Sequence, residues 1–172
     1  MTESWEVVVV GGGAAGLSAA LVLGRARRRT LVVDAGEPRN APSAHMQGYL
    51  SRDGMSPAEF LAVGREETAR YGVQLVRDRV VDATGGEGFT VVLASGRTVR
   101  ARHGLGAEMR ETPFGSYPVI DERGLTSVPG LWAAGNVSGF AEQVINAADR
   151  GHRAGAAING DLLYTGLDKG TP

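Results

Sequence analysis

Four consecutive valines, Val7-Val8-Val9-Val10, run straight into Gly11-Gly12-Gly13-Ala14-Ala15-Gly16, and no other feature of the chain restricts its fold so tightly. An apolar β-branched run predicts a buried strand. The Gly-x-Gly-x-x-Gly spacing after it predicts a sharp turn into a helix. Such a turn asks for glycine three times. Gly11 permits the tight bend, Gly13 lets a pyrophosphate approach the backbone, and Gly16 lets helix and strand pack closely. The free N–H groups and positive dipole end of the helix would then face the phosphates. Asp34 closes the next strand, Leu31-Val32-Val33, where a carboxylate accepts hydrogen bonds from an adenosine ribose and repels a 2′-phosphate. Strand, glycine turn, helix, strand and acid follow in order, which predicts a dinucleotide site. Arg25, Arg27, Arg28 and Arg29 fall at the end of the first helix. Cations complement the dipole there, so they predict a solvated helix end and not a site reading a 2′-phosphate.

With 172 residues the chain fits one ordinary domain with a sizeable core. A formal net charge of −1 gives no global field for nucleic acid or an anionic membrane, so neither is expected as a partner. No stretch is long and apolar enough to span a bilayer. Residues Met1 to Glu6 lack a basic region followed by an apolar one, which predicts a cytoplasmic chain without a secretory signal. There is no cysteine, which excludes disulfides, thiolate metal sites and a cysteine nucleophile. His45, His103 and His152 are scattered without metal-ligand spacing. No metal site is predicted, and a surface or supporting role is expected for each histidine. The carboxylates Glu66-Glu67, Asp121-Glu122 and Asp168 read as solvated surface or turn residues, not as an acid/base pair. No catalytic residue follows from the sequence.

Beyond Asp34 comes a long loop, Ala35 to Asp53, of a length that is often functional, and part of it is expected to cover the dinucleotide. Ser56, Pro57 and Glu59 spell an N-cap, a first helical residue and a capping box, with Met55 and Phe60 placed for a hydrophobic staple and Gly72 as terminator. Val73-Gln74-Leu75-Val76 then reads as a third parallel strand. Residues 79 to 102 are rich in strand formers broken by Gly85-Gly86 and Ser95-Gly96, which predicts a three-stranded antiparallel meander. Leu131-Trp132-Ala133-Ala134 fits a final central strand. A last helix is expected from about Phe140 to Asn159, with Gly160 as its stop. Val144, Ala148, Gly151, Gly155, Ile158 and Leu162 form its packing face, which is half glycine or alanine and therefore suited to close approach.

At Thr126-Ser127-Val128-Pro129-Gly130-Leu131-Trp132-Ala133-Ala134-Gly135-Asn136 the chain resembles the thioredoxin-reductase-like FAD-dependent oxidoreductases of the pyridine nucleotide-disulfide oxidoreductase superfamily. A similar segment ends the flavin-binding half in that family. Gly36-Glu37-Pro38-Arg39-Asn40, with His45 and Arg52-Asp53-Gly54, resembles its subgroup of bacterial relatives and fungal dithiol oxidases. The fold implied is an α/β, Rossmann-like, three-layer ββα domain: a central parallel sheet, helices on one face and an antiparallel β-meander on the other. FAD is the cofactor implied. The resemblance places Gly11, Gly13, Ala14 and Gly16 on the pyrophosphate and Asp34 on the adenosine ribose. It places Asn40 near the flavin, Asn136 on the ribityl chain, and the backbone N–H groups of Gln143 and Val144 on the flavin carbonyl edge. Ala15, Ala35, Gly36, Arg39, His45 and Gly135 complete the implied cofactor-binding set. Asn136 departs from the usual Asp, keeping an acceptor oxygen but losing the charge.

The resemblance covers two pieces, 1–102 and 105–163, joined directly. Family members carry a second dinucleotide-binding domain between them, on the order of 100–150 residues by ordinary domain size, with its own glycine turn for NADPH and a Cys-x-x-Cys pair. The expectation is therefore a single FAD-binding domain, residues 1–172, redox-active through its flavin and without NADPH-dependent disulfide reduction. Two alternatives stay open: a working oxidoreductase fed by an external electron donor, with His45 or His152 as proton donor, and an NAD-binding module using the first glycine turn alone. A homodimer is implied by resemblance only.

Overall fold

The computed structural model describes residues 2–38, 40–86, 88–105, 110–112, 115–117, 119–137 and 143–167. Strand β1 (Glu3–Val10) leads into helix α1 (Ala14–Arg25), and β2 (Thr30–Asp34) returns beside β1 in parallel, with Val7 to Val10 opposite Thr30 to Val33. Helix α2 (Pro57–Ala69) starts as its sequence predicts: Ser56 is the N-cap, and its hydroxyl accepts from the Glu59 N–H at 3.2 Å. Gly72 takes φ +77° just past the helix, and β3 (Gln74–Arg77) adds in parallel to β2. Phe60 stacks obliquely on Tyr49, ring centroids 5.5 Å apart.

The meander forms from β4 (Val80–Gly86), β5 (Gly88–Leu93) and β6 (Thr98–Leu105), each antiparallel to the next. Its third strand does more than predicted. β6 also runs parallel to β1, from Glu3 opposite Val99 to Val9 opposite Leu105, so the meander shares a strand with the central sheet. The sheet order is β3-β2-β1-β6-β5-β4. β9 (Leu131–Trp132) pairs in parallel with the last residues of β6, beyond the reach of β5, and Trp132 also bridges Leu125 antiparallel. It joins the parallel sheet as expected, but with two residues of the four-residue run. A small hairpin, β7 (Arg110–Thr112) with β8 (Gly115–Tyr117), lies in the connection.

Alternation of side chains sorts the core into two layers. Val7, Val9 and Val32 join Ala19, Leu23, Ala154, Ile158 and Leu162 on the helical face. Val8, Leu31 and Val33 join Phe89, Val91 and Leu93 of the meander on the other. Each fully buried Val or Leu contributes about 1.5–3 kcal/mol, so both faces of β1 and β2 are committed. That leaves the carboxyl ends of the strands as the exposed crevice, where open α/β sheets bind ligands.

Helix α3 (Val144–Leu167) corrects the expected end of the last helix. It passes through Gly160, where an added Cβ would meet open space and φ is not left-handed, and Leu162 beyond it is still 2% exposed in the core. Packing outweighs the helix-stopping tendency of glycine. The helix begins at Val144, while the expected start, Phe140, lies outside the described residues. The predicted close approach holds, because a Cβ at Gly151 would stand 2.0 Å from the Ala15 carbonyl oxygen, and one at Gly155 would stand 2.8 Å from that of Ala19.

The arginine run is not uniformly solvated. Arg25 lies in the last turn of α1 and Arg27 takes φ 58° just beyond it. Arg28 bonds Glu6 at 3.2 Å and Asn159 at 2.8 Å, so it ties β1 to α3. Arg29 lies over the Trp5 ring. Of the two roles expected for each histidine, His103 does not take the surface one. It is 7% exposed, edge-on to Trp132, with Nε2 at 3.3 Å from an Asp161 carboxylate oxygen. Burial holds its pKa below the ordinary histidine value, and the Asp161 charge opposes that shift in part.

Candidate functional site

The turn from β1 to α1 meets each of its glycine requirements by a different means. Gly11 sits at φ +100°, and its N–H donates to the Val33 carbonyl at 2.8 Å, which locks the turn to the end of β2. A Cβ on Gly16 would come within 1.9 Å of the Gly11 oxygen, so only glycine lets α1 start this close to the strand. A Cβ on Gly13 would meet nothing within 4 Å, because Gly13 faces open space. Gly13 is the N-cap of α1, and no side chain caps the helix. Among the described residues no side chain accepts from its first-turn N–H groups, which a helix start leaves without intrahelical partners.

Sequence reasoning missed Gly12. Its N–H donates to Asp34 Oδ1 at 3.1 Å, and a Cβ there would fall 2.8 Å from the Asp34 carboxyl carbon. The acid at the end of β2 is thus held against the turn by a glycine with no role in the Gly-x-Gly-x-x-Gly reading. Arg77 was missed as well. It ends β3 opposite Asp34 and donates to the Gly36 carbonyl at 3.4 Å, its guanidinium lying over that glycine. The signal was available, since a parallel β1-β2-β3 order puts the carboxyl end of β3 beside that of β2. Arg79 pairs with Glu37 at 2.7 Å, which anchors the start of the long loop.

A cleft of about 250 Å³ opens over this turn. Gly11, Gly13, Ala14, Ala15, Gly16 and Asn40 border it from the first part of the chain. Gly135, Val137 and Val144 border it from the second. Val10, 44% exposed, lines it too, an apolar strand end open to whatever fills the cleft. The second segment reaches the first through small residues. Gly135 takes φ +82°, and a Cβ on it would lie 2.8 Å from that of Ala15. A single helical turn, Gly135–Val137, carries the backbone past the cleft towards α3. Of Asn136 only the backbone is described.

Not every expected residue lines the cleft. Asp34, Ala35 and Gly36 stand beyond Gly12, at the carboxyl end of β2. Gln143 is exposed at the start of α3, where its carbonyl accepts from the Asn146 and Ala147 N–H groups, and its side chain neighbours Gly48. The exposed His45 is 3.1 Å from the Gly54 carbonyl through Nδ1 and does not border the cleft. Arg39 lies outside the described residues. Among the described residues no cluster of His, Cys, Asp or Glu could hold a metal, and no helix is long and apolar enough to cross a membrane.

An open glycine-floored cradle, an uncapped helix start and an acid at the next strand end fit a dinucleotide pyrophosphate and ribose. The comparisons with known proteins agree. Residues 6–79 match the family described as FAD binding domain. A thioredoxin reductase of Claviceps purpurea, tcpT, is 35% identical over 105 residues, 56% of this chain and 32% of that protein. Another from Leptosphaeria maculans, sirT, is 45% identical over 56 residues, 33% of this chain and 17% of that protein. The chain thus spans a third or less of the length of these curated relatives. Among solved structures, HlmI superposes with a TM-score of 0.88 at 25% identity, covering 98% of this chain and 96% of that one.

Over part of its length the chain is similar to thioredoxin reductases. Its fold is the Rossmann-like FAD-binding α/β fold of those neighbours, and the family match assigns FAD as the cofactor. An oxidoreductase from Agrobacterium tumefaciens shares that fold, with a TM-score of 0.89 at 23% identity over 95% of this chain and 99% of that one.

Proposed function

We propose that this chain is a single FAD-holding unit built from two halves, 1–102 and 105–163, and that it works as a redox flavoprotein without a nicotinamide domain or a redox disulfide. The observation that carries this reading is one cleft bordered both by the Gly11–Gly16 turn and by Gly135, Val137 and Val144. The direct run of β6 from the meander into the central sheet supports it, since this strand closes the sheet with no inserted domain at that point. The absence of cysteine from the sequence removes the thiols that a disulfide reductase of this kind would need.

In this reading the uncapped first turn of α1 donates backbone hydrogen bonds to the pyrophosphate over Gly13. Asp34 keeps one oxygen on the Gly12 N–H and offers the other to a ribose hydroxyl. The Gly135–Val137 turn and the start of α3 border the flavin end, with the helix dipole favouring negative charge there. That dipole is worth about 0.3–1 kcal/mol when exposed and up to ~2 when partly buried, enough to tune a reduction potential without deciding it. Bound FAD supplies one- or two-electron transfer. Among the described residues no side chain at the cleft is placed as an acid or base, and His45, held at the Gly54 carbonyl, is too far along the loop to border it.

Electrons would come from an external donor, consistent with a cleft whose apolar rim, Val10, stays open. A homodimer and a cytoplasmic setting are further parts of the proposal. An NAD-binding module has no use for the Gly135–Val144 segment, so FAD is preferred. The test is to purify the chain, denature it and identify the released chromophore, then mix the holoprotein anaerobically with NADPH. The proposal expects FAD, and no bleaching at a catalytic rate. A colourless chain that stays colourless after FAD is added contradicts it.

A further inference from the structure

On the α2 side of α1 a second cavity of about 250 Å³ lies between α1, α2 and the turn at residues 49–52. Leu17 and Val63 make its walls apolar, and the oblique Tyr49–Phe60 ring pair forms one end. Two opposite charges, Arg52 and Glu67, also line it. Both are partly withdrawn from solvent. Among the described residues neither forms an ion pair or a side-chain hydrogen bond, with the other or with anything else. The preceding residue, Ser51, holds a left-handed φ of 69°, a conformation that costs a residue with a side chain about 1–3 kcal/mol and recurs at ligand clamps.

A charge drawn partly out of water without a partner is unfavourable, and here two of opposite sign line one partly apolar cavity. A volume below the roughly 300–1,000 Å³ of drug-sized pockets limits the occupant to something small. We propose that this cavity binds a small zwitterion with an apolar or aromatic body, of amino-acid size, its carboxylate on Arg52 and its ammonium on Glu67. The site is distinct from the flavin cleft but touches it. Ala14 borders both cavities, and Tyr49 follows Gly48, the neighbour of Gln143 at the start of α3.

The test is calorimetric titration of the FAD-saturated chain with L-phenylalanine, L-leucine, 3-phenylpropanoate and phenethylamine. The expected result is saturable binding of one or both amino acids. Arg52→Gln should weaken amino-acid and phenylpropanoate binding about tenfold and leave phenethylamine unchanged, whereas Glu67→Gln should do the reverse for the two monovalent probes. Circular dichroism verifies that both variants fold. No saturable binding of any probe up to about 10 mM, or amino-acid binding that neither variant alters, overturns the proposal. So does a loss of self-association by Arg52→Gln in sedimentation with binding unchanged, which would assign the cavity to a second copy of the chain.

Discussion

The two walls of the dinucleotide cleft are built by different means. The wall at Gly11–Gly16 is local: Gly16 is fitted to the Gly11 oxygen, and Gly11 and Gly12 are bonded to the end of β2. The wall at Gly135, Val137 and Val144 is borrowed. Gly135 and Gly151 both rest on Ala15, so the position of the second wall depends on how closely α3 lies against α1. A cradle made by neighbours in sequence can be written as a motif. A wall made by a contact across more than 100 residues exists only once the helices have packed.

If this contrast holds, the most damaging change is at the shared contact. Gly151→Val forces side-chain atoms into the Ala15 backbone, where overpacking costs about 1–3 kcal/mol or more. Chemical denaturation should show a loss at or above that range, together with lost FAD binding. Gly13→Val separates binding from folding at the local wall. The space over Gly13 is open, so the denaturation midpoint without FAD should stay close to wild type while FAD affinity falls at least about 100-fold, as expected when a pyrophosphate loses its backbone approach. Asp34→Ala leaves the Gly12 N–H without its acceptor and removes the carboxylate proposed for the ribose, and a lost charged hydrogen bond to the ribose of about 1.5–3 kcal/mol should weaken FAD binding roughly 10- to 100-fold.

A smaller effect, at the foot of the α3 wall, comes from His103. Burial pushes its folded pKa below the ordinary 6.5, so the unfolded chain binds the proton more readily. The stability that His103 contributes is complete above about pH 6.5 and is lost as pH falls from there towards the depressed folded value. The fall in unfolding midpoint between about pH 7.5 and 5.5 should be shallower in His103→Leu than in wild type. An equal fall in both would place the titration elsewhere.

Much of the local wall was legible. The valine run, the three spaced glycines, Asp34 and the Ser56 cap each act within a few residues, or through one strand pairing that the βαβ pattern implies. Gly12 escaped notice because its constraint comes from Asp34, 22 residues away, and no spacing rule contains it. Gly160 misled because a glycine after a helical run stops a helix only where nothing beyond it packs, and Leu162 packs. His103 carried no periodic signal. Its burial follows from β6 serving two sheets at once, which a sequence read strand by strand does not reveal. The arginine run looked like one solvated end, yet Arg28 was bound to Glu6 and Asn159 by the return of α3.

The most direct test of a cleft with two walls is a map of backbone amide chemical shifts during FAD titration of the intact chain. The amides of Gly13 to Gly16 and those of Gly135, Val137 and Val144 should move together along one saturation curve. Shifts confined to the Gly11–Gly16 turn, with Gly135 to Val144 unmoved at saturation, would contradict the account.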